Sequence, residues 1–368
     1  MFDRRLVENF DWGLLLLILS LMGIGLLNIY SAVMAGNPDG VPHLFYRQIM
    51  WYGIGAGIMC VMMLFHYKLY EQWGLSIFVG CILLLVMLFF VGKYVGGSRR
   101  WLALGPLTLQ PSELMKLGTI IMMARYYARN VSTLGMGMVE LVRPFILVMI
   151  PFFLIVQQPD LGTAMVIFLI AGTMSLFVKI RHRTLLYLSG MALVVGVLGW
   201  LFLLKGYQKQ RVLTFLDPGR DPLGAGYHII QSKIAIGSGM LTGKGFLLGT
   251  QNALSFLPEQ HTDFILSVVA EEWGFLGVMT LLALFLLLLL WGLNIAYRCR
   301  DHFGIILSVG IVAMFFWQVF INSGMVMGLL PVVGVPLPLI SYGGSSVLTN
   351  LMALGLLMNV SMRRFMVD

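Results

Sequence analysis

The chain has 368 residues, 59% of them hydrophobic and 11% charged, with a mean hydropathy of +0.90. Soluble globular chains carry about a quarter charged residues, so a water-soluble fold is excluded and the bilayer is the medium in which this chain builds its core. The 24 Lys and Arg against 16 Asp and Glu give a formal net charge of +8, which in such a chain speaks of membrane topology rather than nucleic acid.

Apolar stretches of about 20 residues read as spans, and in chain order they fall at 12–34, 46–65, 70–92, 112–128, 143–157, 160–178, 184–204, 263–296, 303–326 and 342–361. The first follows Arg4 and Arg5 without a small-residue cleavage site, which predicts a retained helix. The fourth is interrupted by Glu113, Lys116 and Arg125, and the eighth is too long for one crossing and is expected to begin outside the bilayer. The predicted fold is an all-α polytopic membrane domain over 1–368, with ten transmembrane helices and a large extracytoplasmic loop, 205–262, between the seventh and eighth.

The basic residues orient this array. Alternate segments hold Arg4, Arg5, Lys68, Arg125, Arg129, Arg143, Lys179, Arg181, Arg183, Arg298, Arg300, Arg363 and Arg364, which is 13 of the 24. The short connections of the other set hold Arg47, Lys93, Arg99 and Arg100. By the positive-inside rule both termini are expected in the cytoplasm, with loop 205–262 outside. That loop turns sharply at Asp217-Pro218-Gly219-Arg220 and Asp221-Pro222-Leu223-Gly224. It then runs apolar from Tyr227 to Ile236, where Tyr227, Ile230 and Ile234 recur at spacing 3 and 4, as in a helix lying in the interface with Lys233 snorkelling. Cys60, Cys81 and Cys299 lack metal-ligand and redox spacing and imply no disulfide framework.

A charge inside a span costs about 2.5–3.5 kcal/mol on insertion scales, so function is sought first at ionisable residues near membrane depth. In Gln110-Pro111-Ser112-Glu113-Leu114-Met115-Lys116, Pro111 opens the fourth span, and Glu113 and Lys116, three apart, share a helix face. They form either a structural ion pair or a polar patch facing an anionic ligand. In Gln157-Gln158-Pro159-Asp160, Asp160 either caps the sixth span or joins a site. Leu257-Pro258-Glu259-Gln260-His261-Thr262-Asp263-Phe264 packs two carboxylates and an imidazole into the mouth of the eighth span and is the densest group of proton-transfer residues in the chain. The alternative there is an N-cap at Thr262 or Asp263. Arg47, Lys205, Lys209 and Arg211 are external cations suited to phosphate oxygens, or to anchoring in head groups. Pro331 to Ser346 is too rich in Pro and Gly for a continuous helix and must line a cavity or be buried in protein. Its Ser341-Tyr342-Gly343-Gly344-Ser345-Ser346 end would open the tenth span with free N–H groups as an anion seat. Together these residues describe a polar, partly cationic cavity toward the outer leaflet. They leave open an enzyme acting on a lipid-linked phosphate and a transporter that moves one.

At these residues the chain resembles the SEDS family (shape, elongation, division and sporulation), and most of all its rod-elongation branch. The resemblance rests on Phe215-Leu216-Asp217-Pro218, Gly226-Tyr227-His228-Ile229-Ile230-Gln231-Ser232, the run Leu257 to Phe264, Asn322, Gly328-Leu329-Leu330-Pro331-Val332-Val333-Gly334 and Ser341 to Ser346. It covers the whole chain, and long motifs at ordered positions make it specific. It implies a peptidoglycan glycosyltransferase of the bacterial inner membrane that polymerises lipid II in the outer leaflet beside a class B penicillin-binding protein and other elongation-complex membrane proteins. The family's essential loop aspartate corresponds to Asp263, expected as general base, and its polar cavity to Glu113, Lys116, Asp160, Arg211 and Glu259. Arg47 and Ser341 complete the expected substrate contacts. A Mg²⁺ or Mn²⁺ ion is expected from the reaction type; a nucleotide cofactor is not. The alternatives are a lipid II flippase and a division or sporulation member of the family.

Overall fold

The computed structural model describes residues 8–35, 43–95, 98–104, 107–130, 135–187, 190–191, 206–217, 219, 225–254, 256 and 260–364. Helices α1 (Trp12–Met34), α2 (His43–Leu64) and α3 (Tyr67–Val91) come first, followed by three short strands, β1 (Lys93–Val95), β2 (Ser98–Leu104) and β3 (Leu107–Leu109). Helices α4 (Pro111–Arg129), α5 (Met138–Gln157) and α6 (Leu161–Phe177) follow. Then come α7 (Gly206–Leu216), α8 (Ala225–Gly239), the single turn α9 (Thr250–Ala253), and the long helices α10 (Ile265–Arg298), α11 (His302–Val326) and α12 (Gly344–Arg363). Seven of the described helices, α1, α2, α3, α5, α10, α11 and α12, are long and apolar enough to cross a membrane. The chain is thus a helical, multi-pass membrane protein. Most of the expected seventh span, 184–204, lies outside the described residues.

Local chemistry sets the helix ends. Asp11 caps α1 through Leu14 N–H (3.2 Å), and Asp301 caps α11 through Gly304 N–H (3.0 Å). Pro111 sits in the first turn of α4, where its missing N–H is not needed. α4 fails as a lipid-facing span because it does not face lipid: Met115, Lys116, Ile120, Ala124 and Tyr127 are all buried. α12 is enclosed almost all round, which is why Ser345, Ser346, Thr349, Asn350, Asn359 and Ser361 are tolerated in it. Small residues bring it close to α2: a Cβ on Gly55 would lie 2.4 Å from Leu351, and one on Gly355 2.9 Å from the Met59 carbonyl oxygen.

The strands depart from the all-α expectation, and a break in α10 divides the span expected to be too long for one crossing. The strands form a small antiparallel sheet in the order β1-β2-β3. And α10, 34 residues long, is broken at Gly274, whose φ of 65° and ψ of −162° are not helical. The segment 240–245 replaces the lost helical bonds: Phe275 and Leu276 N–H donate to the carbonyls of Met240 (2.8 Å) and Leu241 (3.1 Å), while Lys244 and Gly245 N–H donate to those of Glu271 and Glu272 (both 3.0 Å). Glycine is required for this approach. A Cβ on Gly239 would lie 1.9 Å from the Ala270 carbonyl oxygen, and one on Gly243 (φ +80°) 2.1 Å from that of Glu272.

Helix α8 covers the expected Tyr227–Ile236 stretch, and its buried face is Ile229, Ser232 and Ala235, with Ile230 and Ile234 turned outward. Ser232 fixes it to α10 and α11, its hydroxyl lying 2.8 Å from Ser267 Oγ and 2.6 Å from the Val326 carbonyl oxygen. The apolar outward face is the one the interface reading requires. Of the two turns expected ahead of α8, only Asp217 and Gly219 are described.

Gly274→Ala and Gly239→Ala are each expected to destabilise the purified protein by about 1–3 kcal/mol. Gly53→Ala, on an open face of α2 where a Cβ meets nothing within 4 Å, is expected to be neutral or stabilising. Thermal unfolding in one detergent checks both.

Candidate functional site

The residues that precede α10 are held through their main chain. Three consecutive carbonyls are each taken by a donor: that of His261 by Tyr342 N–H at 2.8 Å, that of Thr262 by Ser341 Oγ at 2.6 Å, and that of Asp263 by Asn322 Nδ2 at 2.9 Å. The N-cap position of α10 falls on Phe264, whose side chain makes no capping hydrogen bond. Asp263 is half-buried, and its carboxylate lies against Gly334, where a Cβ would come 3.3 Å from Oδ2. The φ of +71° at Gly334 is itself one that a side chain disfavours. His261 packs edge-on against Tyr342 at 5.9 Å, and Phe264 stacks on His228 of α8 at 5.9 Å.

The Pro/Gly segment between α11 and α12 is buried at Val335, Leu337, Leu339, Ile340 and Ser341, as irregular backbone within a bundle must be. Helices supply its hydrogen bonds. Asn322 Nδ2 also donates to the Val335 carbonyl (2.8 Å), Tyr52 OH to that of Leu339 (2.5 Å) and Gln48 Nε2 to that of Ser341 (3.4 Å). Ser341 was expected at the substrate. Its hydroxyl instead accepts from Leu337 N–H (2.8 Å) while donating to Thr262, so it is a clasp between two loops.

Glu113 and Lys116 form an ion pair at 2.8 Å with side chains 5% and 2% exposed. Asp160 does two things at once. Its Oδ1 caps α6 through Thr163 N–H (3.2 Å), and its Oδ2 accepts from Gln110 Nε2 (2.9 Å) and Ser112 Oγ (3.2 Å) at the start of α4. Gln110 N–H in turn donates to Ser345 Oγ (2.9 Å) in the first turn of α12, and Arg100 of β2 donates to the carbonyls of Gln158 and Pro159. The sixth span, the fourth span and the Gly-Gly-Ser-Ser motif are therefore one connected polar cluster. Arg47 is exposed at the start of α2. Glu259 and the side chain of Arg211 lie outside the described residues. Among the described residues no three of His, Cys, Asp and Glu converge as a metal site.

Two carboxylates were passed over in the sequence. Glu271 and Glu272, each 1% exposed, sit at the α10 break. Glu271 takes Lys244 Nζ (2.6 Å), Thr250 Oγ1 (3.1 Å) and Gln251 N–H (3.0 Å), and Glu272 takes Ser31 Oγ of α1. Two acids in an apolar run are the same signal that marks Glu113.

The sequence matches the family model FtsW/RodA/SpoVE, described as cell cycle proteins, over residues 12–365. The chain belongs to this family. It is 43% identical to the peptidoglycan glycosyltransferase MrdB of Escherichia coli K12, over 98% of this chain and 95% of that protein. It is 38% identical to the probable peptidoglycan glycosyltransferase FtsW of Geobacter metallireducens, over 97% of this chain and 96% of that one, and 38% identical to the stage V sporulation protein E of Bacillus subtilis, over 95% and 96%. Among solved structures it is similar to a chain of a peptidoglycan synthase complex that coordinates polymerization and crosslinking, with TM-score 0.81, 34% identity and coverage of 97% and 98%. It is similar also to the rod shape determining protein RodA of Thermus thermophilus, with TM-score 0.71, 29% identity and the same coverage. The SEDS resemblance read from the motifs is thereby shown.

The ion pair gives a test. Removing one partner strands a buried charge, at a cost on the order of 3 kcal/mol. Glu113→Gln and Lys116→Met are each expected to destabilise more than the double variant does. Additive losses in this cycle, measured by thermal unfolding, would dissolve the pairing.

Proposed function

We propose that the protein is a peptidoglycan glycosyltransferase that polymerises lipid II at the outer leaflet during cell elongation, with Asp263 as general base. The observation that carries this reading is the clamp on the carbonyls of 261–263: it fixes the backbone under Asp263 while Gly334 leaves room beside the carboxylate. Family membership supplies the reaction class, and the 43% identity to MrdB supports the elongation branch.

In this reading the 4-hydroxyl of a lipid II GlcNAc attacks C1 of the MurNAc at the lipid-linked end of the growing strand. The C1–O bond to the diphosphate breaks, and undecaprenyl diphosphate leaves with the bonding pair. The hydroxyl is a weak nucleophile at neutral pH, and a positioned carboxylate that takes its proton contributes about 10²–10⁴-fold. Exposed cations such as Arg47 suit the leaving diphosphate, and a Mg²⁺ or Mn²⁺ ion would arrive on that diphosphate rather than in a protein cage. Glu113–Lys116 is already neutralised internally, which favours a shaping role over diphosphate contact. The seven long apolar helices, the charge distribution and the family support ten spans in the cytoplasmic membrane, with both termini inside and 205–262 outside. Similarity to a chain of a peptidoglycan synthase complex supports a transpeptidase partner, a class B penicillin-binding protein.

Asp263→Asn keeps the size and polarity of the side chain but cannot take up a proton. The purified variant is expected to unfold at the wild-type temperature and to form no glycan from lipid II with Mg²⁺ or Mn²⁺ present. Polymer at near the wild-type rate would remove Asp263 as base.

The orientation is tested separately. A cysteine in place of exposed Gly219, with Cys60, Cys81 and Cys299 replaced, is expected to react with an impermeant maleimide in intact cells. Labelling only after lysis would reverse the topology.

A further inference from the structure

Beside the Glu113–Lys116 pair, the interior of the bundle contains polar atoms with no protein partner. Gln318 of α11 is 0% exposed and neither its Nε2 nor its Oε1 is hydrogen-bonded. Asn350 Oδ1 and Thr349 Oγ1 of α12, both residues fully buried, are likewise without partners, whereas Glu113 Oε2 has Lys116 Nζ at 2.8 Å.

Helix register brings these groups to one level. Ile120 of α4 faces Gly310 of α11, and Gln110 at the start of α4 bonds Ser345 in the first turn of α12. At about 1.5 Å per residue, Glu113 lies about 10 Å from the first contact along α4 and Gln318 about 12 Å from it along α11. From the second contact, Glu113 is about 5 Å along α4, and Thr349 and Asn350 are about 6–8 Å along α12. The four orphan atoms and the Glu113–Lys116 pair therefore fall within about one helical turn of the same depth. Direction agrees with depth. Thr349 is one turn from Ser345, on the face that meets α4. Gln318 is one turn from Asn322, on the face of α11 that reaches the Asp263 turn and away from Gly324 and Phe320 on the other side of that helix.

An unpartnered polar atom buried in a helix bundle is costly, so four within one turn call for a ligand. Their chemistry selects it. Gln318 Oε1 and Asn350 Oδ1 accept only, Gln318 Nε2 donates, and Thr349 Oγ1 does either. The Gln318 amide offers one accepting and one donating end whichever way it is turned. The set carries no charge of its own and Lys116 is paired with Glu113, so it suits a small neutral oxygen that both donates and accepts hydrogen bonds.

We propose that α4, α11 and α12 enclose an internal water site, anchored by Gln318, that hydrates the Glu113–Lys116 pair and reaches toward Asn322, whose amide holds the Asp263 carbonyl. A water needs two to four polar partners, and this group supplies them. The site depends on the fold and not on the glycosyl-transfer reading, so it is tested without turnover.

Brief X-ray radiolysis in ¹⁸O-water oxidises side chains next to bound water. In the purified protein without lipid II, Met314, fully buried one turn from Gln318, is expected to take up ¹⁸O several-fold faster than Met174, equally buried and packed on Gly310. In Gln318→Leu that excess is expected to vanish and the melting temperature to fall by roughly 2–4 °C, because the water loses its anchor and the remaining acceptors are stranded. A rise in melting temperature in Gln318→Leu would overturn the proposal, since removing orphan groups from a dry interior stabilises. So would wild-type labelling of Met314 no faster than Met174, which decides the matter alone if the variant does not fold. Labelling that appears only after lipid II is added would assign the site to substrate hydroxyls and overturn the water assignment.

Discussion

Backbone that leaves a helix inside a bilayer finds no water to bond, and the arrangement of the candidate site follows from that constraint. The segment 327–343 is irregular, yet Leu339 reaches the middle of the bundle, with its carbonyl oxygen 2.4 Å from where a Cβ on Gly25 of α1 would be. Its carbonyls must be met by side chains from helices. Asn322, Tyr52 and Gln48 do this, and each is a polar residue placed in an apolar helix at a cost that only the loop's need offsets. Because Asn322 also holds Asp263, and Ser341 also holds Thr262, the bonds that make the irregular segment possible are the bonds that position the site.

The same constraint explains α10. An unbroken 34-residue helix is about 51 Å long, against a hydrocarbon core of about 30 Å. The break at Gly274 divides it into a stretch from Phe275 to Arg298, about 36 Å long and sufficient to cross, and a separate stretch from Ile265 to Trp273 that carries the Asp263 turn. Breaking a helix exposes N–H and C=O groups, and 240–245 closes them by main-chain pairing. Glu271 and Glu272 then tie that segment and α9 to α10 and α1. The loop between α8 and α10 is thus part of the helix it interrupts, and a movement of that loop would be felt at Asp263.

Much of this was legible in the sequence, because lipid imposes a length on apolar runs. The expected 12–34 span coincides with α1, and the expected 303–326 with α11 to within one residue. The spacing of Glu113 and Lys116 left an ion pair as one of two readings, and the structure forms it; the Pro/Gly content of 331–346 announced its irregular backbone. What was not legible were partnerships between distant segments. Nothing in the local sequence says that Ser341 meets Thr262, or that Gln48 serves a carbonyl 293 positions away. The strands at 93–109 were missed because three-residue ladders leave no periodicity to read. Glu271 and Glu272 were missed for a different reason: the length of their apolar run drew notice ahead of the two charges inside it.

How the site is held bears on what it can do. Glu113 is paired with Lys116, Glu271 with Lys244, and Asp160 accepts from Gln110, Ser112 and the first turn of α6. Each of these carboxylates is committed to structure by its side chain. At 261–263 three main-chain carbonyls in a row each accept a hydrogen bond. A clamp of that kind fixes the backbone that carries Asp263, and a general base must be held in position to act. Gly334 completes the arrangement, since any side chain there would be strained at φ +71° and would crowd Oδ2 of Asp263 at 3.3 Å. Clamp and glycine together set the half-buried Asp263 carboxylate beside Gly334 on a backbone held from the 331–343 segment and from α11, and that placement is the ground on which its role as general base is proposed.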